Sequence, residues 1–260
     1  MSAKWAVVTG ASSGIGAAFA RALDARGYSL VLVARRRERL EELARACQHA
    51  EVLAADLEDE AELARVASHA LHLGDIELLV NNAGFGTNGE FLALDGAREL
   101  GQVKLNVVAP FVLAQKLLPA MVARKSGGVI NISSIGAFQP VPYMATYGAT
   151  KAFVLSWSEA LAHELRDSGV RVTCVCPGPV ATEFFTVAGV APAMAKLPHT
   201  MSAERLVADA LAAFDGGRAV IIPGWINWLT ALSTRIFPRV LVRAVAGRLY
   251  APRAQKALRS

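Results

Sequence analysis

The sequence predicts an α/β fold in which a parallel sheet of about seven strands is covered by helices on both faces. Three observations predict it. Short runs rich in Val, Ile and Leu alternate with longer helical patterns along the whole chain. Those runs are apolar at nearly every position instead of every second one, which is what strands buried on both faces require. The first run also passes straight into a turn of small residues that opens a helix, the local form of a β–α unit.

Taken in order, the strands read as WAVVT (5–9), SLVLVA (29–34), EVLAA (51–55), IELLVN (76–81), GVINIS (128–133), VRVTCVC (170–176) and AVIIP (219–223). Helical patterns fill the intervals, two of them long, at about 96–123 and 146–167. The stretch 182–202, TEFFTVAGVAPAMAKLPHTMS, has no clear period and is too long for a plain connection, so it reads as a flap. The chain is one domain, 1–260, with a core of 1–223 and a helical extension of 224–260. In that extension Pro238 should end one short amphipathic helix and occupy the first turn of the next.

The bulk properties exclude several classes. With 260 residues, 53% hydrophobic and 19% charged, the chain has ample material for a core and is not disordered. Cys47, Cys174 and Cys176 show neither a paired framework nor metal-ligand spacing, so a reduced, cytoplasmic setting is expected and no metal is implied. The N-terminal run is too short for a signal-peptide core, and no run is expected to reach membrane-spanning length. Charge is uneven: from Gly216 onward there are eight basic residues and no acid, so the net +5 hides a negative excess on the rest. A nucleic-acid partner would want stacking aromatics or a reading motif among those charges, and neither is present.

Two short motifs carry chemistry. TGASSGIG, Thr9 to Gly16, follows the first strand and opens the first helix, where small residues let backbone N–H groups approach a pyrophosphate. Alone, it is equally a tight strand-to-helix connection. YGATK, residues 147–151, sets Tyr147 and Lys151 on one helical face, so that an ammonium stands beside a phenol whose ordinary pKa is near ~10. That pair is either a tuned acid/base or merely an amphipathic tyrosine on a half-buried helix.

Together with NNAG at 81–84, NISS at 131–134 and PGPVATEF from Pro177, these motifs stand in one order, and the chain resembles the short-chain dehydrogenase/reductase family over most of its length to about Ile222. The resemblance implies a Rossmann-like doubly wound sheet, a nicotinamide cofactor, a lipophilic carbonyl or alcohol substrate and a homodimer or homotetramer formed on the two long helices. It makes Tyr147 the proton donor in reduction, Ser134 the hydroxyl on the substrate oxygen, and Lys151 the residue that binds the ribose and lowers the phenol pKa. It adds Asn106, whose main-chain carbonyl holds a water. Pro110 lies four residues on and has no N–H to occupy that carbonyl. The cofactor set it implies is Gly10, Ser12, Ser13, Gly14, Ile15, Gly16, Asp56, Leu57, Asn82, Ala83, Gly84, Pro177, Gly178, Val180 and Thr182, besides Tyr147 and Lys151.

Relatives that prefer NAD usually end the second strand with an acid, whereas here Ala34 is followed by Arg35, Arg36 and Arg37. Arginines opening a helix work against its dipole and suit a 2′-phosphate, so NADP(H) is expected, with Arg35 first and Arg36 and Ser13 in support. Their alternative is ion pairing with Glu38, Glu41 or Glu42. Phe184, Phe185, Val187, Val190, Met194, Leu197 and Met201, with Ile135, Phe138, Val141 and Tyr143, suggest an apolar substrate pocket. Lys196 and His199 are the cations nearest it in sequence. In the extension, Trp225, Trp228, Leu229 and Leu232 form an apolar side, and Arg235, Arg239 and Arg243 recur at helical spacing. This fits either a peripheral membrane surface or a lid or subunit contact.

Overall fold

The computed structural model describes residues 4–190 and 199–252. Met194, Lys196 and Leu197 of the flap, and Arg253, Lys256 and Arg259 of the basic tail, lie outside the described residues. Seven strands, β1 Trp5–Thr9, β2 Ser29–Ala34, β3 Ala50–Ala54, β4 Ile76–Asn81, β5 Gly128–Ile132, β6 Arg171–Val175 and β7 Val220–Ile221, pair in the order β3-β2-β1-β4-β5-β6-β7. Every pairing is parallel. The doubly wound sheet expected from the sequence is therefore present, and the order reverses between β1 and β4, the crevice where such sheets bind ligands.

Strand residues alternate between two cores. Ala6, Val8, Leu30, Leu32, Leu78, Val80 and Ile130 face α1 Gly14–Asp24, α2 Arg37–Arg45 and α8 Ala203–Asp215, with Phe19, Leu40 and Leu206 fully buried. Val7, Val31, Val33, Leu79 and Val129 face α3 Glu60–His72 and α5 Ala109–Arg124. This two-sided burial explains why the strands are apolar throughout. α6 Ala145–Glu164 covers β6, setting Val154 and Leu155 against Cys174 and Cys176.

The long helical pattern 96–123 is divided. α4 Gly96–Val103 passes through a π-helical turn, Lys104–Val108, into α5. Pro110 has no N–H, and the ladder adjusts with the Ala109 N–H bonding the Lys104 carbonyl, five residues back. Taken end to end, Gly96–Arg124 is long and apolar enough to cross a membrane, which corrects the expectation that no run reaches that length. Leu113, Leu117 and Met121 commit its inner side to the core.

In the flap, α7 Phe184–Val187 is a single turn, and the two ends of the segment meet where Val180 bridges Met201 in parallel. The extension forms α9 Trp225–Ile236 and α10 Arg239–Tyr250, with Pro238 as the N-cap of α10, one position before the predicted first turn. α9 packs on the 3₁₀ turn Ile135–Phe138 that follows Ser134.

Candidate active site

The site assembles at the carboxyl ends of β1, β4, β5 and β6. Thr9 closes β1 and organises the first junction: its hydroxyl donates to the Val80 carbonyl and accepts from the N–H groups of Asn82 and Ala83, both at 3.0 Å. The Asn82 amide returns a bond to the Thr9 carbonyl at 2.9 Å. Replacing Thr9 by Val would strand two buried donors at about 1–3 kcal/mol each. Gly10 turns the chain at φ +67°, and a side chain on Gly16 would place its Cβ 2.2 Å from the Gly10 carbonyl oxygen, so the turn closes only with glycine there.

This turn fits a dinucleotide phosphate. Ser13, the N-cap of α1, makes no side-chain capping bond, and no acid lies in the first helical turn, which leaves donors and the positive helix end facing the crevice. The Arg36 guanidinium crosses above, donating to the Ser12 hydroxyl at 3.1 and 3.2 Å and to Ser13 at 2.8 Å. Arg35 lies further out beside Asp56 and Glu58, at 3.8 and 3.6 Å, and Arg37 pairs with Glu41 at 3.6 Å. Of the arginines weighed from the sequence, Arg36 is the one on the glycine turn. Asp56 accepts from the Glu58 N–H, whereas Asp59 caps α3; Leu57 is buried in the core and Ile15 packs against the other core cluster.

Tyr147 and Lys151 occupy one face of α6, with the Lys151 Nζ 5.8 Å from the phenol ring centre. Nζ donates to the Ile132 carbonyl at 2.8 Å, and a Cβ on Gly84 would stand 3.5 Å from it. Burial depresses the Lys151 pKa to about 8, with Cys174 and Cys176 acting weakly in the other direction. Burial also pushes the Tyr147 phenol well above its ordinary value; its hydrogen bond with Ser134 opposes this and Tyr250 adds to it. The expected lowering of the phenol by Lys151 is thus not found in this arrangement. The ammonium is turned to a main-chain carbonyl, and desolvation of the phenolate dominates.

Ser134 has an extended backbone, and its hydroxyl accepts from the Gly136 N–H at 3.1 Å. Its neighbour Ser133 is buried and donates to the Lys151 carbonyl at 2.7 Å, so its hydroxyl is committed to holding α6. Asn106, in the π-helical turn, uses its side chain: Oδ1 accepts from the Phe85 N–H, while Nδ2 donates to the Phe85 carbonyl and to the Thr150 hydroxyl. Thr150 in turn donates to the Tyr147 carbonyl at 2.8 Å. The π-turn is therefore tied to the helix that carries the phenol.

The Pro177 carbonyl accepts from the Ile135 N–H, joining the end of β6 to the serine turn. Gly178 lies against Asn227 of α9, where an added Cβ would be 2.2 Å from Oδ1. Thr182 reaches back over the first turn, its Cγ2 2.9 Å from where a Gly14 Cβ would stand. Val180 is held by its bridge to Met201.

Four participants escaped the sequence reading. Glu183 receives bonds from Arg36 at 2.9 Å and Arg39 at 2.7 Å, which hold its carboxyl down to about 2. Buried Glu99 accepts from the hydroxyls of Thr87 and Thr146, fastening the loop after β4 beside Tyr147. Asn227 is buried with Nδ2 on the Pro223 carbonyl and Oδ1 without a partner among the described residues. Tyr250, the last residue of α10, packs with Tyr147, Phe184 and Phe185 around Val141 and Met144, and the Asn88 amide holds its carbonyl at 2.9 Å. Tyr147 and Phe184 have ring centres 5.2 Å apart. Only aromatic character marked Tyr250 in the sequence; Glu183 stands inside PGPVATEF but was not singled out there, and Glu99 and Asn227 carried no periodic or motif signal.

Comparisons with known proteins agree with this fold. The short chain dehydrogenase family model matches residues 4–191. A very-long-chain 3-oxoacyl-CoA reductase of Pyricularia oryzae is 38% identical over 184 residues, 66% of this chain and 54% of that protein. A short-chain dehydrogenase from Sphingobium yanoikuyae, solved in complex with NADPH, superposes with a TM-score of 0.81 at 35% identity over 98% of both chains. The bulky-bulky ketone specific alcohol dehydrogenase of Comamonas testosteroni gives 0.77 at 32% identity, covering 99% of this chain and 98% of that one. With its parallel sheet, glycine turn and Ser134, Tyr147 and Lys151 at the strand ends, the chain belongs to the short chain dehydrogenase family of nicotinamide-dependent oxidoreductases.

Proposed function

We infer that this protein interconverts a carbonyl and an alcohol on a lipophilic substrate, with NADP(H) as the cofactor and Tyr147 as the acid/base. The observation that carries the reading is the half-buried Tyr147, whose phenol meets the Ser134 hydroxyl and stands beside Phe184 in a site walled by apolar side chains. Because burial favours the protonated phenol, the site holds the proton that a carbonyl reduction needs. Ser134 donates a hydrogen bond to the substrate oxygen, and Tyr147 delivers its proton to that oxygen as it becomes an alcohol. The nicotinamide, when bound, supplies the hydride in this direction and accepts it in the reverse. Lys151 binds the ribose, and Asn106 with Thr150 fixes the backbone of Tyr147.

The turn from Gly10 to Gly16 would hold the pyrophosphate, Asp56 and Leu57 the adenine side, Asn82 to Gly84 the central crevice, and Pro177, Gly178, Val180 and Thr182 the nicotinamide side. Arg36 on Ser12 and Ser13, with no acid at position 34, supports a 2′-phosphate. The NADPH bound by the Sphingobium structure and the bulky ketones of the Comamonas enzyme are consistent with this cofactor and substrate class. The free thiols among the described residues suit a reducing compartment.

A carbonyl library that includes bulky ketones and 3-oxoacyl thioesters, followed by oxidation of NADPH or NADH, tests the reading. Turnover of at least one lipophilic carbonyl with NADPH preferred is expected. Tight NADPH binding with no turnover of any carbonyl or alcohol would overturn the catalytic role.

A further inference from the structure

α9 and α10 are built inside out for surface helices. On α9, Asn227 and Ala231 are buried, and the opposite side carries Trp225, Leu229 and Ile236 at helical spacing, with Trp225 72% and Ile236 69% exposed. On α10, Ala246 is buried, while Leu241, Val245 and Leu249 recur every fourth residue on the exposed side, and Val240 is 67% exposed. An outward apolar stripe on two consecutive helices is not what solvent selects.

The charges beside these stripes are of one sign. Arg235 falls on the same side of α9 as Trp228, two turns further on, Arg248 falls within the outward side of α10, and Arg239 and Arg243 are exposed. The segment from Gly216 has no acid, and none of these four arginines forms an ion pair among the described residues. A second copy packed face to face by a two-fold would bring arginine against arginine. A layer of anionic headgroups would instead give each guanidinium a phosphate and each tryptophan the apolar–polar boundary it favours. With 12 residues each, the helices are too short to cross a bilayer. In the membrane plane, their apolar stripes enter the acyl boundary.

We propose that the exposed apolar sides of α9 and α10 form a docking surface for an anionic phospholipid bilayer, on which the protein rests peripherally. The surface stands independently of the oxidoreductase reading, but the same α10 ends in Tyr250 at the wall around Tyr147, so docking sets the apolar side of the site towards the lipid.

Vesicle flotation of the full chain tests the proposal, with equimolar phosphatidylglycerol and phosphatidylcholine against phosphatidylcholine alone. Binding to the anionic vesicles, weakening with salt, is expected, together with quenching of tryptophan fluorescence by brominated lipid. Trp225→Ala with Trp228→Ala should remove the quenching. Arg239→Glu with Arg243→Glu should lower vesicle affinity by about tenfold or more, each variant keeping the far-ultraviolet spectrum of the parent. Absence of binding to anionic vesicles at low salt overturns the proposal. So does equal binding to both vesicle types, or the finding that these substitutions abolish self-association while leaving lipid binding unchanged, which would assign the face to a second copy. The readout is lipid binding, so an inactive but docking protein would refute the catalytic reading alone.

Discussion

The Lys151 ammonium stands 5.8 Å from the centre of the Tyr147 ring yet spends a hydrogen bond on the Ile132 carbonyl at 2.8 Å. The two groups are displaced in the directions that burial dictates, the phenol up and the ammonium down, so each is held closer to neutrality than in water. A proton is thereby kept on the phenol, and the cation is weakened.

Tyr147→Phe removes that proton while preserving ring packing on Phe184. Turnover should fall by about 10²–10⁴-fold, the usual worth of a positioned acid. The dissociation constant for NADPH, read by fluorescence titration, should stay within about threefold, since less than ~0.7 kcal/mol of binding is at stake. Near-normal turnover would place the acid elsewhere.

Lys151→Met should stabilise the cofactor-free protein near neutral pH. The folded lysine loses its proton near pH 8 and the unfolded one near 10.5, so between them the unfolded state binds more protons and stability rises with pH. Below that window the parent carries the full cost of burying the charge, roughly 3 kcal/mol by linkage and less after the lost bond to Ile132. Tyr147 and Tyr28, raised by burial, give the opposite slope above about pH 10. The parent-minus-variant difference in denaturant midpoint between pH 7 and 9.5 isolates the lysine. A flat difference would contradict the depressed value.

Arg36 should matter more to the 2′-phosphate than Arg35, because it lies on Ser12 and Ser13 whereas Arg35 is paired with Asp56 and Glu58. Arg36→Ala is expected to weaken NADPH by about tenfold or more and NADH hardly at all, a difference of ~1.4 kcal/mol or more. The reverse ranking in isothermal titration would restore Arg35 to first place.

Glu183 holds Arg36 and Arg39 from the flap, so it competes with an incoming phosphate for the same guanidinium. Glu183→Gln should tighten NADPH by about two- to tenfold and leave NADH unchanged, at an ion-pair worth of ~1 kcal/mol. Its carboxyl is held near pH 2, so the competition persists throughout the neutral range. Weaker NADPH binding by the variant would mean that Glu183 organises the site instead.

Phe111, Phe153 and Trp157 form an exposed aromatic cluster across α5 and α6, with Phe153 stacked on Trp157 at 6.1 Å and Phe111 6.2 Å from it. It is the centre expected of a subunit contact on the two long helices. Phe153→Glu should convert an oligomer to a monomer in sedimentation velocity, with little change in melting temperature. A parent that is monomeric at micromolar concentration would exclude this face.

The sheet was legible because burial on both sides leaves a local mark: each strand is an apolar run, and the predicted and observed ends differ by two residues at most. Ser134, Tyr147 and Lys151 were legible through motifs whose spacing reflects one strand end and one helix face. Glu183, Glu99, Asn227 and Tyr250 were not. Glu183 acts on Arg36 across 147 positions, Glu99 on Thr146 across 47 and Asn88 on Tyr250 across 162, while Asn227 meets Gly178 only in the folded chain, and such contacts leave no period to read. The polarity of the arginines was legible, but their division of labour was not, since Asp56 and Glu58 reach Arg35 only in the folded chain.

Because Tyr250 is brought to the Tyr147 phenol by the last described helix, one wall of the apolar cluster around that phenol is furnished by a part of the chain that contributes no strand to the sheet. The apolar surroundings of Tyr147 can therefore be altered from outside the sheet. Exchanging α10 between relatives, while the contacts of α9 on Gly178 and on the turn after Ser134 are kept, becomes a route to a changed pocket on an unchanged framework.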